Sequence, residues 1–229
     1  YLSSVLSAVQ LKSGRVIFPF GYLTRNNGMF LVSAAYSDDE GKSWKRSPSV
    51  LDVGGTGFES GATEPSVVEL ADGRLWMVIR AQSGFMWESF STDRGATWSK
   101  AQASRIPMSN APMVLTKLRD GRIVGAWNPS VEWAYARNAL VLLGTRDGKN
   151  FFGFREIDHT DYPMATTERY WGVMYPYLTE TRDGTILVAY NYGDWQHNQA
   201  KVARIPAGWL EEKGAIEEFA EGRAAWTRL

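Results

Sequence analysis

Glu64 and Arg80 stand at the two ends of a segment that reads as a β-hairpin. Between them, the β-rich runs 66–70 and 75–79 flank the turn sequence Asp72-Gly73, and glycine supplies the positive φ angle that a tight hairpin turn needs. A hairpin brings the chain back beside its start, so the carboxylate and the guanidinium are predicted to lie at the same end of neighbouring strands. Such a pair is either a structural ion pair or two parts of a site for an anionic substrate.

The composition limits the partners and cofactors that such a site can use. Lys+Arg 25 and Asp+Glu 25 balance in 229 residues, so no overall positive field favours nucleic acid or an anionic membrane surface, and neither is predicted as a partner. The chain has no cysteine, and its two histidines, His159 and His197, are far apart in sequence, so we predict no metal site and no cofactor. No apolar run has the length of a membrane span.

Internal repetition is the strongest signal of overall architecture. Four segments share a strand, a glycine-centred turn and a second β-rich strand, with their glycines at positions 14, 73, 121 and 184. Repeats of roughly fifty residues made of short strands are typical of propeller blades. Three full units are predicted near 1–50, 62–107 and 110–157, and a fourth near 170–205.

A second repeated motif follows the hairpins. Residues 37–44 and 91–98 share the frame Ser-x-Asp-x-Gly-x-Ser/Thr-Trp, and 145–151 is a degenerate third copy. The aspartate is predicted to accept backbone N–H groups within a turn, and the tryptophan to pack back between sheets. Residues 152–170 read as a polar, aromatic loop, and the tail 206–229 as a short amphipathic helix or turn on the rim.

With these motifs the sequence resembles the sialidase (neuraminidase) superfamily, and within it the bacterial type with BNR or Asp-box repeats. The resemblance covers nearly all of residues 1–205 and implies an all-β fold, a sialidase-type β-propeller. Six blades are expected in the complete protein, and about four are represented here. It also implies an extracellular or periplasmic location, and it gives the box residues Asp39, Asp93 and Asp147 a structural role on the rim opposite the site.

The family's site combines a tyrosine nucleophile with a glutamate partner, an arginine triad and an aspartate acid/base. The anomeric carbon of a sialic acid carries a carboxylate, which would repel an anionic nucleophile. Tyrosine approaches as a neutral group and is deprotonated by the neighbouring glutamate. Sialidases are accordingly the tyrosine exception among glycosidases, and the planar fork of arginine suits carboxylate binding.

The family's residues carry over to four positions of this chain. Glu64 matches the glutamate, Arg80 the second triad arginine, and Arg137, in Arg-x-x-Leu, the third. Tyr175 matches the nucleophile, although its segment has proline where the family has a small hydroxyl residue. Tyr177 is a weaker candidate for the same role.

Two parts of the family's site are expected outside this chain. The first triad arginine and the aspartate acid/base lie upstream of the first hairpin in the family, so an N-terminal portion of the same protein is expected to supply them. Arg204-Ile205-Pro206 has the letters of the family's Arg-Ile-Pro motif but stands at the wrong end of the chain, and we interpret it as a coincidence.

The predicted function is that of a retaining exo-sialidase-type glycoside hydrolase that releases terminal sialic acid from glycoconjugates. Two alternatives remain open: a propeller glycosidase or lyase acting on another acidic sugar, such as a uronate, and a non-catalytic glycan-binding propeller. The predicted partner is an acidic-sugar glycan substrate. The loop residues Trp133, Tyr135, Asp194 and Trp195 either line a sugar cleft or are ordinary loop residues.

Overall fold

The structure is a computed structural model that describes residues 2–3, 8–24, 28–55, 60–129, 137–160, 172–194 and 196–211. Its strands form four separate sheets, each built from strands that are consecutive in sequence and paired antiparallel. Consecutive antiparallel strands that form successive sheets are the blade pattern of a propeller. The prediction of an all-β propeller with about four blades is therefore confirmed, while the expected total of six remains a prediction.

The first blade contains β1 (Leu2–Ser3), β2 (Val9–Gln10), β3 (Val16–Leu23), β4 (Phe30–Ser37) and β5 (Lys45–Arg46), with β1 and β2 both pairing with β3. The second contains β6 (Thr63–Glu69), β7 (Leu75–Arg80), β8 (Phe85–Ser91) and β9 (Gln102–Pro107). The third contains β10 (Val114–Lys117), β11 (Ile123–Trp127), β12 (Ala139–Thr145) and β13 (Phe151–His159). The fourth contains β14 (Gly172–Glu180), β15 (Ile186–Gly193) and β16 (Asn198–Ile205).

The hairpin glycines act through backbone conformation. Gly14, Gly73, Gly121 and Gly184 all have φ between 85° and 87°, and each N–H donates to the carbonyl three residues earlier. A Cβ at Gly14, Gly73 or Gly121 would meet nothing within 4 Å. Glycine is therefore required at these turns by the left-handed backbone rather than by lack of space, and the predicted hairpins are confirmed.

The described residues form three apolar core clusters, one between each pair of successive blades. In β7, Leu75, Met77 and Ile79 pack toward the first blade, while Trp76 and Val78 pack toward the third. Side chains alternate between the two faces of a strand, so β7 is apolar along its whole length because both of its faces are covered. This packing fixes each blade against the next and so fixes the loops at their ends.

In each Asp box the aspartate stabilises a tight turn through hydrogen bonds. Asp39 accepts hydrogen bonds from the Ser43 hydroxyl (2.6 Å), the Ser43 N–H (2.8 Å) and the Ser37 hydroxyl (2.7 Å). Asp93 repeats this arrangement with Thr97 and Ser91. These hydrogen bonds lower the pKa of Asp39 to about 2, and the bonds from Ser43 have a larger effect than the bond from Ser37. An ionised aspartate whose oxygens accept these bonds has a structural role.

The tryptophans of the two boxes differ in burial. Trp98 is 7% exposed and lies between the first two blades, where its main-chain N–H donates to the Ser49 hydroxyl. Trp44 is 47% exposed and makes an edge contact with Phe18. The predicted packing between sheets is right for Trp98 and wrong for Trp44. Phe18 follows the buried Ile17 and so points to the other face of the first blade, where no described strand packs.

Replacement of Trp98 by alanine is expected to lower the free energy of unfolding by about 3–5 kcal/mol, because it leaves a cavity between two blades. The same change at Trp44, an exposed residue in an equivalent box, is expected to cost about 1 kcal/mol or less. Urea unfolding of the two variants measures both values. Equal costs would mean that the interface between the first two blades does not depend on Trp98.

One predicted boundary changes. Residues 152–159 were predicted as part of a loop but belong to β13, because Phe154 packs beside Trp127 and Ile157 against the cluster between blades three and four. Residues 161–171 lie outside the described part. No helix among the described residues is long and apolar enough to cross a membrane.

The start of the tail packs against the third blade. Trp209–Glu211 form one 3₁₀ turn in which Leu210 is fully buried. Arg122 donates to the carbonyl of Ala207 (2.7 Å), and Arg155 donates to that of Trp209 (2.7 Å). Residues 212–229 are outside the described part, so the division into a propeller portion 1–205 and a tail 206–229 stays a prediction.

Candidate active site

Glu64 and Arg80 meet at the end of the β6–β7 hairpin that lies away from its glycine turn. Thr63 pairs with Arg80, and a register shift follows between Thr63 and Ser66. Arg80 Nη1 donates to Glu64 Oε2 at 2.6 Å, and the side chains are 15% and 13% exposed, respectively. The predicted juxtaposition of the two ends of this hairpin is confirmed, and most of the surface of this ion pair is shielded from water.

Asn110 connects Arg80 to a second arginine. Its side-chain oxygen accepts from Arg80 Nε at 2.7 Å, and its main-chain carbonyl accepts from Arg137 Nη2 at 3.1 Å. Asn110 is 3% exposed and Arg137 is 5% exposed. The two guanidinium groups predicted to bind a carboxylate are therefore held by one buried residue.

Arg137 in turn holds Tyr175. Its guanidinium carbon lies 4.7 Å from the centroid of the Tyr175 ring, within the range of a cation–π contact. Arg137 Nη1 also contacts the Met174 sulfur at 3.7 Å, and the carbonyl of Arg137 accepts from the N–H of Val173 at 2.8 Å. Both the main chain and the side chain of Arg137 thus contact the strand that carries the tyrosine.

Glu64 and Tyr175 occupy equivalent and unusual backbone positions. Each lies in the first strand of its blade, in a register shift, directly before a proline and nine residues before the hairpin glycine. Their φ angles are +40° and +53°, which are rare for residues with large side chains. A β-bulge changes the direction of a side chain, and strained backbone is concentrated at functional sites. The equivalence indicates that two blades use the same bulge before a proline to orient a site side chain.

The four residues predicted from the sequence form one chain of contacts through Asn110. Among the described residues, Glu64 and Tyr175 are linked through the two arginines and share no direct hydrogen bond. The side chains of Glu64, Arg80 and Arg137 together carry one net positive charge, in a chain of zero net charge. Such an arrangement can bind an anionic group next to a tyrosine hydroxyl.

The other candidates differ in position. Tyr177 is 43% exposed and pairs with Ala189 beyond the register shift, so it lacks the strained backbone of Tyr175. Arg204 pairs with Leu187, one residue from Ile186 at the glycine-turn end of the fourth blade, which is opposite to Tyr175. The interpretation of its Arg-Ile-Pro letters as a coincidence agrees with that position.

The residues proposed to line a sugar cleft receive little support. Asp194 is 8% exposed and its carboxylate accepts the N–H groups of Gln196 and His197, so it caps a turn. Trp133, Tyr135 and Trp195 lie outside the described residues. Within the described residues, no three His, Asp or Glu side chains are grouped so that they could hold a metal ion.

Asn110 was missed because a lone asparagine carries no catalytic signal. The position of Asn110 within the repeat does carry a signal. In Asn110-Ala111-Pro112 the proline stands nine residues before Gly121, and Pro65 and Pro176 stand eight residues before their glycines. A polar residue shortly before this proline recurs in three blades. Aligning the repeats by these prolines would have placed Asn110 one residue before the position shared by Glu64 and Tyr175.

Comparisons with known proteins agree with the fold. Residues 1–188 match the family described as BNR repeat-like domain. Three similar solved structures are the K499G mutant of NanB sialidase from Streptococcus pneumoniae (22% identity, TM-score 0.64), Trypanosoma rangeli sialidase (16%, 0.70) and the intramolecular trans-sialidase from Ruminococcus gnavus in complex with oseltamivir carboxylate (20%, 0.61).

The matches cover most of this chain and a minority of each solved chain. They extend over 89%, 93% and 92% of this chain but only 30%, 33% and 44% of the respective solved chains. At these sequence identities the likeness shows a shared fold. The predicted sialidase-type propeller is therefore confirmed.

Proposed function

The chain belongs to the BNR repeat-like domain family, and on that basis we propose that it is the part of a retaining exo-sialidase-type glycoside hydrolase that carries the nucleophile and two carboxylate-binding arginines. The observation that carries the proposal is the continuous set of contacts from Glu64 through Arg80, Asn110 and Arg137 to Tyr175. It brings the residue types that a sialidase needs to one end of the propeller.

Each residue has a role that follows from its chemistry. Arg80 and Arg137 bind the carboxylate of the sugar and so place its anomeric carbon at the tyrosine. The Tyr175 oxygen forms a bond to that carbon while the bond to the leaving oxygen breaks. The phenolic proton passes to Glu64, and an aspartate expected outside this chain protonates the leaving oxygen. Water, which gives a proton to the same aspartate, then attacks the anomeric carbon as the bond to the Tyr175 oxygen breaks. That oxygen takes its proton back from Glu64, and the sugar leaves with retained configuration.

The proton transfer requires Glu64 to come within hydrogen-bond reach of Tyr175. In the structure one oxygen of Glu64 accepts from Arg80. Catalytic hydrogen bonds are often long without substrate and tighten when it binds. A substrate carboxylate that engages Arg80 competes with Glu64 for its guanidinium, which releases the glutamate toward the tyrosine.

The proposal extends to the whole protein. The propeller portion 1–205 would join preceding blades that complete a six-bladed ring and supply the third arginine and the acid. Residues 206–229 would form the tail on its rim. The substrate would be the terminal sialic acid of a glycoconjugate, met outside the cell or in the periplasm.

Turnover of two aryl glycosides by the full-length natural protein tests this function. We expect release of the aryl group from an α-sialoside and none from a β-glucuronide, and proton NMR of the first-formed sugar is expected to show the α-anomer. Hydrolysis of the uronide instead would identify the second candidate. That candidate is supported by the arginine pair, which recognises a carboxylate without reading the rest of the sugar. Binding without turnover of either compound would contradict both enzyme functions.

A further inference from the structure

We infer that Asn110 is a positioning residue that sets the orientation of both carboxylate-binding guanidinium groups; this assignment rests on the proposed function. Asn110 lies in the connection between β9 and β10 and is 3% exposed. It contacts both Arg80 and Arg137, through its side chain and its main chain, respectively.

The side chain of Asn110 fixes the plane of the Arg80 guanidinium. Nε donates to Asn110 and Nη1 to Glu64, so acceptors hold two of its three nitrogens. Among the described residues Nη2 has no acceptor, and its two N–H groups are left for a ligand carboxylate. The acceptor on Nε is a neutral amide, which orients the guanidinium without cancelling its charge. A carboxylate at this position would orient Arg80 and also compete with an anionic substrate.

The main chain of Asn110 fixes the second arginine relative to the first. Its carbonyl accepts from Arg137 Nη2 at 3.1 Å, so the covalent geometry of one residue relates the two guanidinium groups. The N–H of Ser109 donates to the carbonyl of Asn128 (3.0 Å), and Asn128 Nδ2 donates to the carbonyls of Ala139 (2.6 Å) and Val173 (2.7 Å). The segment around Asn110 is thereby anchored to the third and fourth blades.

Two substitutions in the full-length protein test the assignment. Asn110→Ala removes the acceptor for Arg80 and is expected to raise KM for an aryl sialoside about tenfold or more, because a hydrogen bond to a charged group is lost. Asn110→Asp retains the acceptor and the melting temperature, but its negative charge is expected to raise KM as well. In both variants kcat changes less than KM. Asn150→Ala, an exposed asparagine in the third Asp box at the opposite end of its blade, is the matched control and should leave KM unchanged.

A purely structural role predicts a different pattern. It would lower the melting temperature of both Asn110 variants and leave KM of the folded fraction unchanged, and that result would overturn the assignment. If Asn110→Ala does not fold, Asn110→Ser, whose shorter side chain also withdraws the acceptor from Arg80, replaces it in the same comparison.

A crystal structure separates this assignment from the proposed function. In Asn110→Ala, the Arg80 guanidinium is expected to rotate away from its wild-type position. If the wild-type protein hydrolyses no sialoside, the proposed function fails, and the position of Arg80 still tests Asn110. An unmoved guanidinium would overturn the positioning role even in an active enzyme.

Discussion

Phenylalanine in place of Tyr175 is expected to lower kcat for an aryl sialoside by about a thousandfold or more, since loss of a nucleophile removes the covalent step. The substitution deletes one oxygen and leaves the ring that lies against Arg137. The arginines therefore keep their positions, and KM is expected to change little. Initial rates over a range of substrate concentrations separate the two constants, and the melting temperature checks that the variant is folded.

Tyr177→Phe is the matched control for this experiment. It makes the same chemical change two residues further along β14, at a side chain that is 43% exposed and outside the register shift. We expect this variant to keep nearly full turnover. Full activity of Tyr175→Phe would exclude it as the nucleophile, and loss of activity in Tyr177→Phe alone would transfer the role to Tyr177.

The features that the sequence predicts are those set by local backbone geometry. A glycine turn such as Gly73 requires a positive φ angle wherever it stands, so its repetition identifies the hairpins and their number. Ser37 and Ser43 donate hydrogen bonds to the Asp39 carboxylate within a single turn. The same locality explains why Glu64 and Arg80 were correctly placed together: one hairpin determines both positions.

The features that escape the sequence depend on what packs against them. Trp44 and Trp98 occupy the same position in two boxes, and only the neighbouring blade makes one buried and the other exposed. The positive φ angles of Glu64 and Tyr175 are equally invisible, because a residue before proline favours extended backbone. Asn110 gains its importance only from arginines that come from the end of β7 and from the connection between β11 and β12.

Glutamine in place of Glu64 is expected to lower kcat about a hundredfold or more with little change in KM, which distinguishes a general base from a structural ion pair. An amide can still accept from Arg80 Nη1, so the guanidinium stays in place, but it cannot take the tyrosine proton. Initial rates over a range of substrate concentrations measure both constants.

Arg80→Lys provides the complementary result. Lysine retains the charge but loses the planar fork and the Nε bond to Asn110, so KM should rise while kcat changes less. If Glu64 and Arg80 formed only a structural pair, both variants would lower the melting temperature and leave kcat of the folded protein unchanged. A lower kcat in Glu64→Gln and a higher KM in Arg80→Lys would instead mean that two side chains 2.6 Å apart, at the two ends of one hairpin, perform different chemical tasks.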